Sequence, residues 1–425
     1  MKKISITFLL ICCTYFYSEA QAVVSAIQQD SLSITLQQAE DSFLTKNLSL
    51  IAQQYSIDSA RATVITARLY DNPEFDYSNA FYNTETHRFF EPQFNIGVSQ
   101  LVRLAGKRNK AITLATSGIA IQEFQFYDLL RTLRYILRND FYNIYFLQQS
   151  SKLYELEISS LQKIIPVYEE QLSKGFIAPV VVLRMKSQLY TLQAEYNSLQ
   201  TNIDSIQGEF KLLLRLSPET YVLPDANLSS LNHEVVAGVN YQVLIDTAIV
   251  NRPDLNALNS IITYNNNNLV LQKAFAKPDI TISGGFDRQG SYVPNYNSIG
   301  IGIPIPLFNR NQGNIRNAKI QVDQSKVQYQ GGLERVRSEV TTNYITALRA
   351  EKLLMSLDPR FDADIKHLIQ EVTVNFQKKN ITLLEFLDFY ESYRQNVLQL
   401  NQLRFNKMSA LEQLNFSIGK ILFNP

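Results

Sequence analysis

Cysteine is almost missing from this chain. The only two, Cys12 and Cys13, lie in an N-terminal stretch that reads as a secretory signal. That stretch has Lys2-Lys3, a mostly apolar run from Ile4 to Tyr17 and the small-residue pattern Ala20-Gln21-Ala22. A mature chain starting near Val23 has no disulfide, thiolate metal site or cysteine nucleophile. Leu9-Leu10-Ile11 puts no small residue before Cys12, which argues against lipid attachment. Tryptophan is absent, and the three histidines, His87, His233 and His367, are scattered. No metal-ligand spacing, nucleophile constellation or phosphate loop is present, so neither an enzyme nor a cofactor is expected. Neither charge dominates, with 40 Lys+Arg against 39 Asp+Glu, which excludes the electrostatic footprint of a nucleic-acid binder. Past the N-terminus no window of about 20 apolar residues occurs, so no membrane-crossing helix is expected.

What is present is one pattern written twice. Asn72-Pro73-Glu74-Phe75 followed by Val98 to Arg108 is echoed by Lys277-Pro278-Asp279-Ile280 followed by Ile303 to Gly313. The reading is mainly α with a small β part and an internal duplication. A first repeat covers 23–216, a linker element 217–240, a second repeat 241–420 and a tail 421–425. Residues from Ile34 to about Tyr70 look helical until Pro73 stops them. Strands are expected at about 73–83 and 92–104, then at about 279–288 and 298–307. Ile280 and Ile282 alternate with Thr281 and Ser283; Ile299, Ile301 and Ile303 alternate with Gly300 and Gly302. Lipid on one face and a lumen on the other would produce that alternation, as would a half-buried soluble sheet. Four strands cannot close a barrel within one chain.

Lys107 to about Ser173 forms a rod on the order of 100 Å. Arg316 to about Lys378 forms a second, with soft spots at Gly331-Gly332 and Pro359. The returning helices, Pro179 to Leu216 and Thr382 to Gly419, are shorter. Stacking them end to end on Ile34–Tyr70 and Tyr241–Phe275 restores full length. In the last helix Leu383, Tyr390, Val397, Leu411 and Ile418, with Phe386, Tyr393, Leu400 and Leu414, make a heptad stripe broken at Arg404 and Lys407.

The chain resembles the TolC family of outer-membrane efflux channels, in particular the outer-membrane component of cation-efflux systems of the resistance-nodulation-division type. The resemblance lies in Leu36 to Ala39, Asn251-Arg252-Pro253-Asp254-Leu255, Pro278-Asp279-Ile280 and above all Ile303 to Gly313. It implies a homotrimer with antiparallel helical hairpins forming an α-barrel. Four strands per chain would join a 12-stranded transmembrane β-barrel. It also implies location in the outer membrane, extension into the periplasm, and docking to a periplasmic adaptor and an inner-membrane pump.

Two hairpin tips, about 172–179 and 376–383, then carry the working residues. The resemblance assigns adaptor docking to Lys174, Gly175, Phe176, Ile177 and Ala178, with Asn380, Ile381 and Thr382. Glu385 and Asp388, three residues apart on one helix face, match the acidic residues of the periplasmic aperture. Three copies would crowd six carboxylates, favour cations and raise some of their pKa values. The first hairpin has Val181 and Arg184 at the matching positions, and Ile381 replaces a basic residue found in some relatives.

A solvated helix face is the plain alternative for Glu385 and Asp388. Phe89 and Phe90 read as an interface anchor or as loop packing. Lys107, Arg108 and Lys110 read as solvated or near lipid headgroups, and His367 with Glu371 could touch a metal only with a third ligand. The chain reads as a passive trimeric duct for heavy-metal cations, the alternatives being a duct for drugs or other small solutes, or a non-channel periplasmic coiled-coil adaptor or tether.

Overall fold

The computed structural model describes residues 30–423 except 80, 86, 91, 92, 229–232, 234, 290–292 and 359. The expected signal segment lies outside the described residues, as do Pro359 and the last two residues of the tail.

Two long rods dominate. Helix α3 (Lys107–Ser173) runs unbroken through Pro166, and α4 (Pro179–Leu214) returns beside it. The second rod is in two pieces, α7 (Gln312–Met355) and α8 (Phe361–Gln377), with α9 (Leu383–Ile418) returning. The interruption falls between Met355 and Phe361, and α7 passes through Gly331-Gly332 intact. No described helix is long and apolar enough to cross a membrane.

The short entering helices are each divided. A parallel strand pair, β1 (Ser31–Thr35) with β6 (Tyr221–Asp225), occupies the start of the expected first helix and part of the linker. Ile34 is therefore in a strand. Thr35 then opens α1 (Leu36–Lys46) through a capping box with Gln38. At Asn47 the chain breaks and restarts as α2 (Leu48–Arg68). The Asn47 carboxamide oxygen accepts from the N–H groups of Ser49 and Leu50, while its amide donates to the Leu213 carbonyl at the end of α4. One side chain thus caps one helix and ties it end to end to another.

The second half makes the same kind of joint with an arginine. Helix α5 (Tyr241–Asn251) ends at Arg252, and α6 (Pro253–Phe275) starts on a proline, which lacks the N–H that the first turn leaves unused. The Arg252 guanidinium pairs with Asp254 and Glu339 and donates to the Ser417 carbonyl at the end of α9. These contacts give Arg252-Pro253-Asp254 its physical role. Two-piece rods are thus present as expected from helix lengths, but their entering pieces are Leu48–Arg68 and Pro253–Phe275 rather than the whole spans 34–70 and 241–275.

Packing along the rods is not purely apolar. Phe43, Leu137, Phe141, Phe210, Val222 and Met408 form a core near the β1–β6 pair. Gln207 and Gln148 both donate to the Val222 carbonyl, and Gln207 also accepts from the Val222 N–H. The heptad break at Lys407 is fully buried: its ammonium lies near Glu351 and donates to the His233 carbonyl. Glu351 in turn accepts from the N–H groups of Val235, Val236 and Ala237 and anchors the linker to α7.

At one end of the rods lies a four-stranded antiparallel sheet in the order β2 (Glu74–Asn79), β5 (Phe94–Val102), β7 (Ile280–Gln289), β8 (Pro294–Gly302). A two-residue ribbon, β3 (Tyr82–Asn83) with β4 (Arg88–Phe89), sits between β2 and β5. Strand β8 ends at Gly302, so Ile303 lies just past it, where Pro304 and Pro306 have no N–H for a ladder.

Candidate functional site

The sheet separates its residues by size. The register aligns Phe75, Val98, Gly284 and Ile299 in one cross-strand row. Tyr77, Ile96, Phe286 and Asn297 form the next, and Gln100, Ile282 and Ile301 another. Neighbouring positions put Asp76, Gly97, Gly285 and Ser298 on the opposite face, with Ser99, Ser283 and Gly300 beside them. One face is thus largely large and apolar, the other mostly small and polar. Small residues are required there: a Cβ on Gly300 would lie 2.7 Å from Ser283 Oγ. The apolar face is open, with Ile299 at 89% and Ile301 at 69% exposure. Ile282 and Ile303 are also exposed and Ile280 is half-buried. Beyond the sheet, Phe81, Tyr82, Phe89 and Phe90 form an exposed cluster of edge-to-face and tilted rings.

The junction between sheet and rods uses the three basic residues expected to be solvated or near lipid headgroups. Lys107 is buried, with Nζ 2.7 Å from Asp279 Oδ1 and 2.7 Å from the Lys277 carbonyl. Asp279 also accepts from the Leu104 N–H. Arg108 donates twice to the Arg68 carbonyl and lies over the Tyr70 ring, and Lys110 donates to the Ala105 carbonyl. Alternation and charge counting missed this because buried ion pairs leave no periodic signal. The Pro278-Asp279 motif was the available clue.

At the far end of the rods the hairpin tips share one backbone solution. Helix α3 closes with Gly175 at φ +76°, its N–H donating to Leu172 while Phe176 N–H reaches back to Gln171. This is the Schellman termination, in which a left-handed residue lets the chain satisfy the last carbonyls. Helix α8 closes in the same way, with Lys379 at φ +62° and Asn380 N–H donating to Asn375. Lys174, Gly175, Phe176 and Ala178 are exposed, and Ile177 is half-buried. Asn380 and Thr382 are exposed, while Ile381 packs against Val372, Phe376 and Phe386. Phe376 stacks on Phe386 and on Tyr168 of α3, so the two tips stand side by side.

Thr382 and Glu385 form a capping box at the start of α9. Glu385 Oε2 accepts from the Thr382 N–H at 2.7 Å and from its hydroxyl at 2.8 Å. These donors, backbone first, hold the Glu385 carboxyl below its ordinary pKa. In the single protomer the shift is thus opposite to that expected for crowded carboxylates. The Thr-x-x-Glu spacing was the overlooked signal. Asp388, one turn further on, is exposed beside a groove between α8 and α9 lined by Ile365, Leu368 and Phe389. His367 and Glu371 approach to 3.4 Å on exposed α8, and no cluster of three metal-ligating side chains occurs among the described residues.

Residues 244–420 match the family described as outer membrane efflux protein. The chain is 22% identical over 298 residues to the cobalt-zinc-cadmium resistance protein CzcC of Cupriavidus metallidurans, covering 70% of this chain and 68% of that protein. It is 24% identical over 342 residues to the cation efflux system protein CusC of Escherichia coli K12, covering 76% and 72%. A crystal structure of CusC superposes with a TM-score of 0.72 at 18% identity, over 91% of this chain and 92% of that one.

Proposed function

We propose that this chain, which carries an outer membrane efflux protein domain over residues 244–420, is one protomer of a passive trimeric duct. The duct runs from the periplasm through the outer membrane and works with a periplasmic adaptor and an inner-membrane pump. The observation that carries this reading is the two-faced sheet with free edges at β2 and β8. An apolar face suits lipid, but open edges there leave backbone groups unpaired, each costing several kcal/mol. Closure with two further copies satisfies both edges. A periplasmic adaptor or tether has no use for such a sheet, which disfavours that alternative.

In this reading Ile280, Ile282, Ile299 and Ile301 face lipid, with Ile303 at the membrane edge. Lys174 to Ala178 and Asn380 to Thr382 form the adaptor-docking tips. Glu385 and Asp388 ring the periplasmic entrance. The cargo is heavy-metal cations, by similarity to the two relatives named for metal resistance and cation efflux.

Deletion of the protein should sensitise cells to divalent or monovalent heavy metals, and wild-type protein should restore growth. Gly175→Trp, on an exposed tip with no atom near its Cβ but at φ +76°, should cost about 1 kcal/mol of local strain, leave the trimer intact and fail to restore growth. Sensitisation to organic toxicants alone would favour the small-solute duct. Soluble periplasmic localisation would end the channel reading.

A further inference from the structure

Where α3, α4 and α9 pass one another above the tips, two carboxylates flank one guanidinium and a third lies near enough to add its charge. Arg394 of α9 donates from NH1 to Glu157 Oε2 of α3 at 3.2 Å. Its Nε lies 3.7 Å from Glu195 Oε2 of α4. Glu391 adds a third negative charge from α9. Tyr154 lies under the guanidinium at 6.0 Å. One positive charge against three negative ones leaves the cluster unbalanced if every carboxylate is ionised.

Glu157 bears most of that imbalance. It is 3% exposed, and its second oxygen, Oε1, has no hydrogen-bond partner among the described residues. A buried carboxylate oxygen without a donor is costly, whereas a carboxylic acid is far less so. Beside Glu157 lies a cavity of about 10 Å³, lined by Ser160, Gln188, Tyr390 and Arg394 together with apolar side chains. That is room for about one water, with polar groups to hold it. Glu195, by contrast, is 41% exposed.

We propose that Glu157 is a proton-binding site, taking up one proton on its unpaired oxygen as the surroundings acidify and relieving the excess negative charge between α9 and the first helical hairpin. Proton uptake removes one of the two excess negative charges of the cluster and gives Glu157 an O–H donor beside the cavity. Burial, first, and the nearby Glu195 and Glu391 charges push the Glu157 carboxyl up to about 7 against the pull of Arg394. Its ordinary value is 4.5, so the folded state holds the proton where the unfolded chain has lost it. The contribution to stability is full below pH 4.5 and is lost as pH rises through about 7. The cavity is also lined by Phe386 and Leu387, between Glu385 and Asp388 on α9, but proton binding at Glu157 does not depend on the channel reading.

Infrared difference spectra of the full-length protein in detergent, taken across pH 5–9, test this directly. Asp140→Asn serves as the background, because burial also pushes the Asp140 carboxyl up to about 7. A protonated-carboxyl band should disappear with a midpoint near pH 7 and be missing in Glu157→Gln. The same band persisting in Glu157→Gln, or no such band in the parent, overturns the proposal. Glu195→Gln provides a second reading should Glu157→Gln not fold. Removing its like charge should lower the midpoint, and an unchanged midpoint contradicts the coupled cluster.

Discussion

At the scale of single residues, buried charge is the recurring feature of the rods. Arg138 joins Glu40 of α1 and Glu412 of α9, each at 2.7 Å. Asp140 has no such partner: Oδ2 is buried without a donor among the described residues. Burial and the Glu209 charge push its carboxyl from 3.8 up to about 7. Stability from this group is full below pH 3.8 and lost as pH rises through about 7. Asp140→Asn should therefore stabilise the protein by roughly 2–4 kcal/mol at pH 8 and change little near pH 4. Thermal unfolding at the two pH values checks this, and an equal gain at both contradicts it. A second residue-scale prediction concerns Lys379, held in the left-handed region. Lys379→Gly should relieve about 1 kcal/mol of strain and slow amide exchange at Lys379 and Asn380 several-fold. Faster exchange would place the side chain in a compensating contact.

At the scale of elements, the extent of the rods was legible in the sequence and their interruptions only partly so. Lys107 to Ser173 reads as one helix because nothing in it but Gly118 and Pro166 opposes helix formation, and it is one. Pro253 after Arg252 is a proper helix-start signal. The break at Asn47 was missed, although Asn followed by Leu-Ser-Leu is a cap signature. The pairing of β1 with β6 joins segments far apart in sequence, which no local pattern reports. Strand alternation correctly separated the two faces, and the prolines after Ile303 explain why β8 ends early. The faces can be tested by charge. Ile301→Arg on the apolar face should cost about 2–4 kcal/mol of assembly stability, and Thr281→Arg on the other face much less. Gly300 is unsuited as the control because any Cβ there meets Ser283. Equal losses for the two variants would reverse or abolish the assigned orientation.

The sequence placed both tips at hairpin ends, with Lys379 standing where the first tip has Gly175, and both residues adopt the left-handed conformation. The capping contacts of Glu385 sharpen the charge test of the proposed ring. Glutamine also serves at the third position of a capping box, so Glu385→Gln keeps the cap and removes the charge. Combined with Asp388→Asn, it should lower cation selectivity in planar bilayers and weaken block by divalent cations added on the periplasmic side. Unchanged selectivity in an assembled trimer would return both residues to a solvated helix face.

At the scale of the whole molecule, the proposed duct requires β2 and β8 to find each other across copies. With the only cysteines in the expected signal segment, introduced thiols report cleanly. Ser78→Cys on β2, combined in turn with Tyr296→Cys, Ser298→Cys or Gly302→Cys on β8, places both thiols on the small-residue face of the two free edges. Oxidation in intact outer membranes, followed by non-reducing electrophoresis, should give for at least one pair a ladder ending at three chains. Only monomer with every pair, or a ladder continuing beyond three, would contradict closure of the sheet by a trimer.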